Sequence, residues 1–451
     1  MRPKRVAFYG NFGDGNLGNE VTLQTAIEHT LKRWPDAQLL CICTGPEDVR
    51  ARHGIEAVCS RAKRQLWSRR ARSAESAADR GGSASGPSGS QGRLEVASGW
   101  RRLIASQRAK STRSFRLAAL AARALRWGFY SLPLEVTHWV RGLRAMAGSD
   151  TLIVPGTGIL TDNRCSPWVW PYELFKYCAL ARLCRVQVVF LSVGAGPIHH
   201  PLSRWLITRS LALARYRSYR DEDSKRCIEG LGFDARRDVV CPDLVFGLSS
   251  HSLPPSGPAE ARRKVVGLGL KDYAGREGNT GYRAYLEAMA AFVLWLGQRG
   301  YTVRLLIGDE QYDTRVRREL LELLASRTAA RDPPPRILAD PVPTVRELIR
   351  QLAETDVVIS PRLHNLILAL ILGKPVIALC DLRKVEALLG DFELAEYCLQ
   401  IEGLDDERLA TCFVHLESEA ARVQTHIRGR VDSYQRAVEQ QYAEVFDADG
   451  T

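Results

Sequence analysis

The chain has 451 residues, 45% of them hydrophobic, enough for two or three buried cores at roughly 150 residues per domain, which excludes a disordered or fibrous protein. Its net charge of +12 is local: residues 61–145 hold 18 Lys and Arg against 4 Asp and Glu, so the remainder is slightly acidic, and nucleic acid is not expected as a partner. Eleven cysteines without a CxxC pair speak against a zinc or disulfide framework, and no apolar run reaches the roughly 18 residues of a membrane span. Several cysteines lie in apolar strands, where a reduced thiol packs as a small hydrophobe, so a cytoplasmic location is expected.

In chain order, Arg5 to Tyr9 reads as a strand, followed by a helix from about Asn19 to Arg33 and a strand from Gln38 to Cys43, a βαβ opening. Residues 68–99, rich in Ser, Ala, Gly and Arg, cannot bury enough apolar surface to order themselves and are expected to form a disordered basic insertion. After it, Leu117, Leu120, Ala121, Ala124 and Leu125 keep helical spacing opposite Arg116, Arg123 and Arg126. This amphipathic stretch, about 100–145, either lies on an anionic membrane or packs on its own domain.

The alternation resumes with strands at Thr151 to Val154, Gln187 to Ser192 and Tyr216 to Tyr219, separated by helices near Tyr172 to Leu183 and Leu202 to Ala214. A helix near Glu222 to Leu231 follows. The Pro254-Pro-Ser-Gly-Pro258 run marks a domain boundary. A second set of strands follows at Lys264 to Leu270, Thr302 to Ile307, Arg336 to Leu338, Asp356 to Ile359 and Pro375 to Leu379, and the tail from Asp405 to Phe446 reads as helical. The expected fold is α/β, with two Rossmann-like doubly wound domains, 1–253 and 259–400, a helical tail 401–451, and a ligand cleft at the carboxyl ends of the strands.

Five strand ends carry the chemistry. Ser360-Pro-Arg-Leu-His-Asn365 stands where a buried strand becomes a buried helix. With Ser360 as cap and Pro361 as first helical residue, the unpaired N–H groups of the helix start, beside Arg362 and His364, suit a phosphate or carboxylate. Gly10 to Glu20 follows the first strand with glycines for close backbone approach and with Asn16 and Asn19 as groups for hydroxyls, yet it does not match the dinucleotide spacing. Gly156-Thr-Gly158 with Asp162, and Gly194-Ala-Gly-Pro197, end two further strands. Arg220 ends another, placed either to clamp a carboxylate or to pair with Asp221 or Asp223.

These pieces together resemble the polysaccharide pyruvyl transferase family over nearly the whole chain outside residues 60–145. The resemblance rests on Asn16 to Glu20, Gly156-x-Gly-x-Leu-x-Asp162, Ser192 to Pro197, Arg220-Asp-Glu-x-Ser224, Pro242-Asp243, Ser360-x-Arg-Leu-His364 and Gly373-x-Pro375. It implies a glycosyltransferase-B-like pair of domains, and transfer of pyruvate from phosphoenolpyruvate to two hydroxyls of a sugar, giving a cyclic ketal. Phosphoenolpyruvate is then a co-substrate rather than a cofactor, and no metal is expected. One position departs: family members commonly carry Asp before the glutamate of the opening loop, and this chain has Asn19, which cannot take a proton as a carboxylate does.

On that reading Arg362, His364, Ser360, Asn365 and Arg220 bind the donor. Asn16, Asn19, Gly156, Gly158, Asp162 and Gly194 face the acceptor, either polymer or lipid-linked. His364 serves as general acid or phosphate partner, and Asp14 or Glu20 orients or deprotonates the acceptor. Two rivals stay open: a nucleotide-sugar glycosyltransferase on the same plan, and a non-catalytic protein tethered by the basic stretch to membrane or nucleic acid.

Overall fold

Two parallel sheets organise the chain in the computed structural model, which describes residues 2–61, 132–163, 165–254, 264–273, 280–328, 334–381 and 383–447. The expected disordered insertion at 68–99, the helix at 117–128 and the linker after Pro254 lie outside the described residues. Met1–Cys59 and Ala145–Thr451 make one compact unit, and Ser60–Arg144 make another. No described helix is long and apolar enough to cross a membrane.

The first sheet is built from β1 (Arg5–Tyr9), α1 (Leu17–Arg33), β2 (Gln38–Cys43), α2 (Pro46–His53) and β3 (Glu56–Cys59). Next come α3 (Leu132–Met146), β4 (Thr151–Pro155), α4 (Trp170–Leu183), β5 (Gln187–Val193), α5 (Pro201–Ala212), β6 (Tyr216–Tyr219), α6 (Glu222–Glu229) and β7 (Val239–Val240). Its order is β3-β2-β1-β4-β5-β6-β7. The second comprises β8 (Val265–Gly269), α7 (Thr280–Gln298), β9 (Thr302–Leu306), α8 (Asp313–Thr328), β10 (Arg336–Leu338), α9 (Val345–Ala353) and β11 (Val357–Ser360). It closes with α10 (Leu363–Ile371), β12 (Val376–Cys380), α11 (Arg383–Asp391) and β13 (Cys398–Gln400), in the order β10-β9-β8-β11-β12-β13. Strands such as β4, β8 and β12 are largely apolar runs buried at every position, as a sheet covered by helices on both faces requires.

Each sheet begins in its middle and reverses direction, the first between β1 and β4 and the second between β8 and β11. Ligands bind beyond the carboxyl ends of strands at such reversals. The loops after β1, β4 and β11 are therefore the ones the fold assigns to a site.

The tail forms α12 (Asp406–Ser418) and α13 (Ala420–Asp447). The latter leaves the second half through Tyr434 on Phe392 and crosses to the first, where Tyr442 stacks on His29 at 4.2 Å and Phe446 meets Trp34. Buried Gln441 donates to Ser192 Oγ at 3.1 Å, and Lys32 pairs with Glu439. The expected tail thus straps the two halves together. Against the expectation of reduced thiols, Cys380 and Cys398 are disulfide-bonded, because β12 and β13 lie side by side and bring their Cα atoms within 6.4 Å.

Candidate active site between the two sheets

The loop after β1 is held from both sides. Asn16 caps α1, its side-chain oxygen accepting from Gly18 N and Asn19 N, and its amide reaches Asp309 of the second half at 3.5 Å. Leu17 N donates to Gly308 O at 3.0 Å, Glu310 N to Gly15 O at 3.0 Å, and Gln311 Nε2 to Asp14 O at 2.7 Å. The loops after β1 and β9 are thereby joined backbone to backbone, and the cleft is closed along this edge.

Closure brings His364 onto the first turn of α1. A Cβ at Gly18 would stand 2.0 Å from His364 Nδ1, so only glycine leaves room for the imidazole. On the far side of the ring, Nε2 lies 3.8 Å from Asp243 Oδ2, and the Arg220 Nη1 atom lies 3.8 Å from that same oxygen. Arg220 in turn fills the space over Gly194, where a Cβ would meet its guanidinium at 2.6 Å. The motif residues Gly18, Gly194, Arg220, Asp243 and His364 therefore form one packed group drawn from both halves.

Arg362 is fixed by Asp313, a fully buried carboxylate at the start of α8 that takes its Nε at 2.9 Å and its Nη2 in a fork. Asp313 also accepts from Gly308 N and Asp309 N, each at 3.0 Å. The pairing uses two of the five guanidinium N–H donors and leaves three for a ligand. The helix after β11 starts two residues later than expected. Ser360 Oγ accepts from Arg362 N at 3.1 Å and holds Arg362 extended as the cap, so α10 begins at Leu363 and Pro361 stays outside it.

Two lysines join this cluster without having been foreseen. Lys271 pairs with Asp381, while Lys384, half-buried at the start of α11, has no ion-pair partner among the described residues. Burial, together with the positive charges of Arg220, Lys271 and Arg362, pushes the Lys384 ammonium down to about 7. Burial and the charges of Lys384, Arg220 and Arg362 likewise lower His364 to about 3, so the ring is neutral at ordinary pH. Burial raises Asp243, against the pull of Arg220. His364 Nε2, Asp243 Oδ2 and Asn365 Nδ2 are buried and have no hydrogen-bond partner. Together with the clustered positive charges, these unpaired buried atoms make this spot the candidate for a bound polar ligand.

The remaining expected site residues fall into two groups. Asp14, lifted to about 6 by burial and by the nearby Glu20 and Asp309 carboxylates, lies on the cleft edge with a pKa suited to proton transfer. Glu20 is fully buried with both oxygens engaged, one by Gly13 N at 2.8 Å and the other by His53 at 2.9 Å, which makes it a brace for the loop. Asn19 donates to Asn11 O at 2.9 Å. Asp162 accepts from His199 N and His200 N; burial alone would raise its carboxyl, but these bonds lower it. Gly194 N donates to Thr157 O and Gly196 N to Leu160 O, tying the loop of Gly156 and Gly158 to that of Gly194 as one wall.

A sequence model of the polysaccharide pyruvyl transferase family matches residues 16–379. A comparison with curated proteins finds no match. Among solved structures, a UDP-N-acetylglucosamine 2-epimerase aligns with a TM-score of 0.55 at 13% identity, over 99% of this chain and 96% of that one. The UDP-GlcNAc 2-epimerase of Neisseria meningitidis, bound to UDP-GlcNAc, gives 0.54 at 11% identity over 98% and 100%. HepE of Anabaena, in complex with UDP-glucose, gives 0.54 at 12% identity over 98% and 99%. At such identities the likeness is one of fold: a glycosyltransferase-B-like pair of α/β domains, as expected.

Proposed function

The chain belongs to the polysaccharide pyruvyl transferase family, and from that premise we propose that it moves pyruvate from phosphoenolpyruvate to two hydroxyls of a sugar in a polysaccharide or its precursor. The observation that carries the reading is the crowding of Arg220, Arg362, Lys384 and His364 around unpaired buried atoms. Such a crowd is costly when empty and is stabilised by a ligand that brings several negative charges in a small volume. Phosphoenolpyruvate, with a phosphate at one end and a carboxylate at the other, is that kind of ligand.

On this reading Arg362, held by Asp313, and the first N–H groups of α10 with Ser360 and Asn365 nearby grip the phosphate. Arg220 and Lys384 face the carboxylate. The first sugar hydroxyl adds through oxygen to C2 while C3 gains a proton and becomes a methyl group. The C2–O bond to phosphate then breaks, phosphate leaves with the electron pair, and the second hydroxyl closes the ketal and gives up its proton. The two hydroxyl protons thus balance the one gained at C3 and the one taken by phosphate.

Burial and the neighbouring positive charges hold His364 neutral; the arriving anion offsets the charges and so favours a proton on the ring, which can deliver it at C3 or to the leaving phosphate. Asp14 takes the acceptor proton in place of a carboxylate at position 19. Phosphate release from phosphoenolpyruvate in the presence of acceptor tests the assignment. His364→Ala and Arg362→Ala are each expected to lower it ~100-fold or more, and near-normal rates would refute it.

A nucleotide-sugar glycosyltransferase on the same fold is the second reading, favoured by neighbours whose structures hold UDP-GlcNAc and UDP-glucose. Heat-stability shifts with phosphoenolpyruvate and with UDP-glucose separate the two. The helix α3 leaves Val136, Val140 and Leu143 exposed on one face, with Arg144 beside them, a face suited to the inner surface of an anionic membrane, where a lipid-linked acceptor would be met. Binding to phosphatidylglycerol vesicles that vanishes in Val140→Glu would support this contact, and binding that persists would remove it.

A further inference from the structure

Aromatic side chains normally hide most of their area, and a large one left open next to a site calls for a partner. Trp168 is 64% exposed and Trp205 49% exposed. Trp168 belongs to the same loop as Gly156, Gly158 and Asp162, between the carboxyl end of β4 and the start of α4. Its ring centroid lies 5.7 Å from that of Tyr172. Phe175 follows one helical turn later, about 5 Å further along the α4 axis, and meets Trp205 of α5 at 5.5 Å. Arg209 lies over the outer part of Trp205, 5.9 Å from the ring centroid. Two tilted aromatic pairs, half-open to solvent, therefore run in line from the cleft rim down the outer face of α4.

The carbohydrate faces of pyranose rings carry weakly positive C–H groups, which match the negative faces of aromatic rings, while their hydroxyls stay in water. A row of separate, partly exposed rings offers a sugar chain one stacking face per unit, whereas a helix lying in a lipid surface presents one continuous apolar face. We infer that Trp168, Tyr172, Phe175 and Trp205 form a track that holds the stretch of polysaccharide next to the sugar receiving pyruvate. The inference rests on the pyruvyl transferase reading for its choice of ligand. Trp168 takes the sugar nearest the cleft, and Phe175 with Trp205 takes those further out. The track carries no part of the reaction: it lengthens the residence of a long acceptor and is silent toward a short one.

The probe is the surface polysaccharide of the producing cells, stripped of ketals by mild acid and used both intact and cut to single repeat units. Native gels cast with the intact polymer report binding, and phosphate release reports turnover. Trp168→Ala and Trp205→Ala change exposed side chains and are expected to keep the wild-type melting temperature. Each should weaken retardation by the polymer and raise its KM about tenfold, the loss expected for one stacking contact of about 1.4 kcal/mol. The KM for a single repeat unit and for phosphoenolpyruvate should not move, and Trp168→Phe should restore most of the retardation. Wild-type protein that is not retarded, or a double alanine variant retarded as strongly as wild type, would overturn the track. So would binding to phosphatidylglycerol vesicles that depends on the same tryptophans while retardation does not. Tryptophan-dependent retardation without any turnover of phosphoenolpyruvate would leave the track standing and refute the transferase reading alone.

Discussion

Gly18→Ala puts the geometry of the closed cleft to a sharp test. The added methyl would stand 2.0 Å from His364 Nδ1 and 2.7 Å from Cγ. Carbon contacts settle at about 3.5–4.0 Å, so the imidazole must retreat by about 1.5 Å or the two halves must part. A misplacement of about 1 Å costs on the order of 100-fold when the displaced group does chemistry. Turnover of phosphoenolpyruvate should therefore fall at least about 100-fold. Opening the cleft relieves the clash, so the loss of folding stability should stay within about 1–3 kcal/mol. Gly429→Ala is the control: it sits in α13 with nothing within 4 Å, and should leave turnover unchanged while adding roughly 0.5–1 kcal/mol of stability. Phosphate release and urea unfolding, measured on both variants, decide the matter. A Gly18→Ala enzyme with near-normal turnover would show that His364 does not work from this position.

Removing the carboxylate in Asp313→Asn leaves Arg362 without its anchor and should raise the KM for phosphoenolpyruvate at least about tenfold, with Asp313→Glu recovering part of the loss; an unchanged KM would mean that Arg362 needs no anchor. The pH profile of kcat/KM for phosphoenolpyruvate should fall on both sides of neutrality. Asp14 must lose its proton, so activity rises as pH passes about 6, whereas Lys384 must keep its proton, so activity declines above about 7. The bound carboxylate of phosphoenolpyruvate stabilises the charged lysine, which places the alkaline limb of kcat at higher pH than that of kcat/KM, and Lys384→Met should abolish this limb. Cys398→Ser opens an 18-residue loop and should lower unfolding stability by ~3 kcal/mol under oxidising conditions, a difference that disappears when the wild type is reduced.

The two-sheet plan was legible because each buried strand is a short apolar run followed by a glycine or polar turn, as at β4 with Gly156 or β9 with Gly308. The Ser360 to Asn365 cluster was legible for the same reason. Its helix start was misplaced because Ser360 and Pro361 suit a cap and a first turn equally well as an extended entry. The hydrogen bond from Arg362 N to Ser360 Oγ selects the second. Asp313 escaped notice because it gains its meaning through a contact 49 residues away in sequence, and Lys384 because it does so through the charges of Arg220, Lys271 and Arg362; neither sits in a distinctive motif. Glu20 was legible as a candidate for orienting or deprotonating the acceptor, but not its engagement by His53 across 33 residues. The disulfide was hidden because β13 is three residues long and its pairing with β12 cannot be read from so short a run.

The most direct test of the account is incubation of the purified protein with phosphoenolpyruvate and the ketal-free polysaccharide, followed by phosphate assay and mass analysis of the released repeat units. The account predicts one phosphate released for each pyruvate ketal found on the sugar, with UDP-glucose unchanged under the same conditions. Transfer of a sugar from UDP-glucose, with phosphoenolpyruvate left intact, would contradict it.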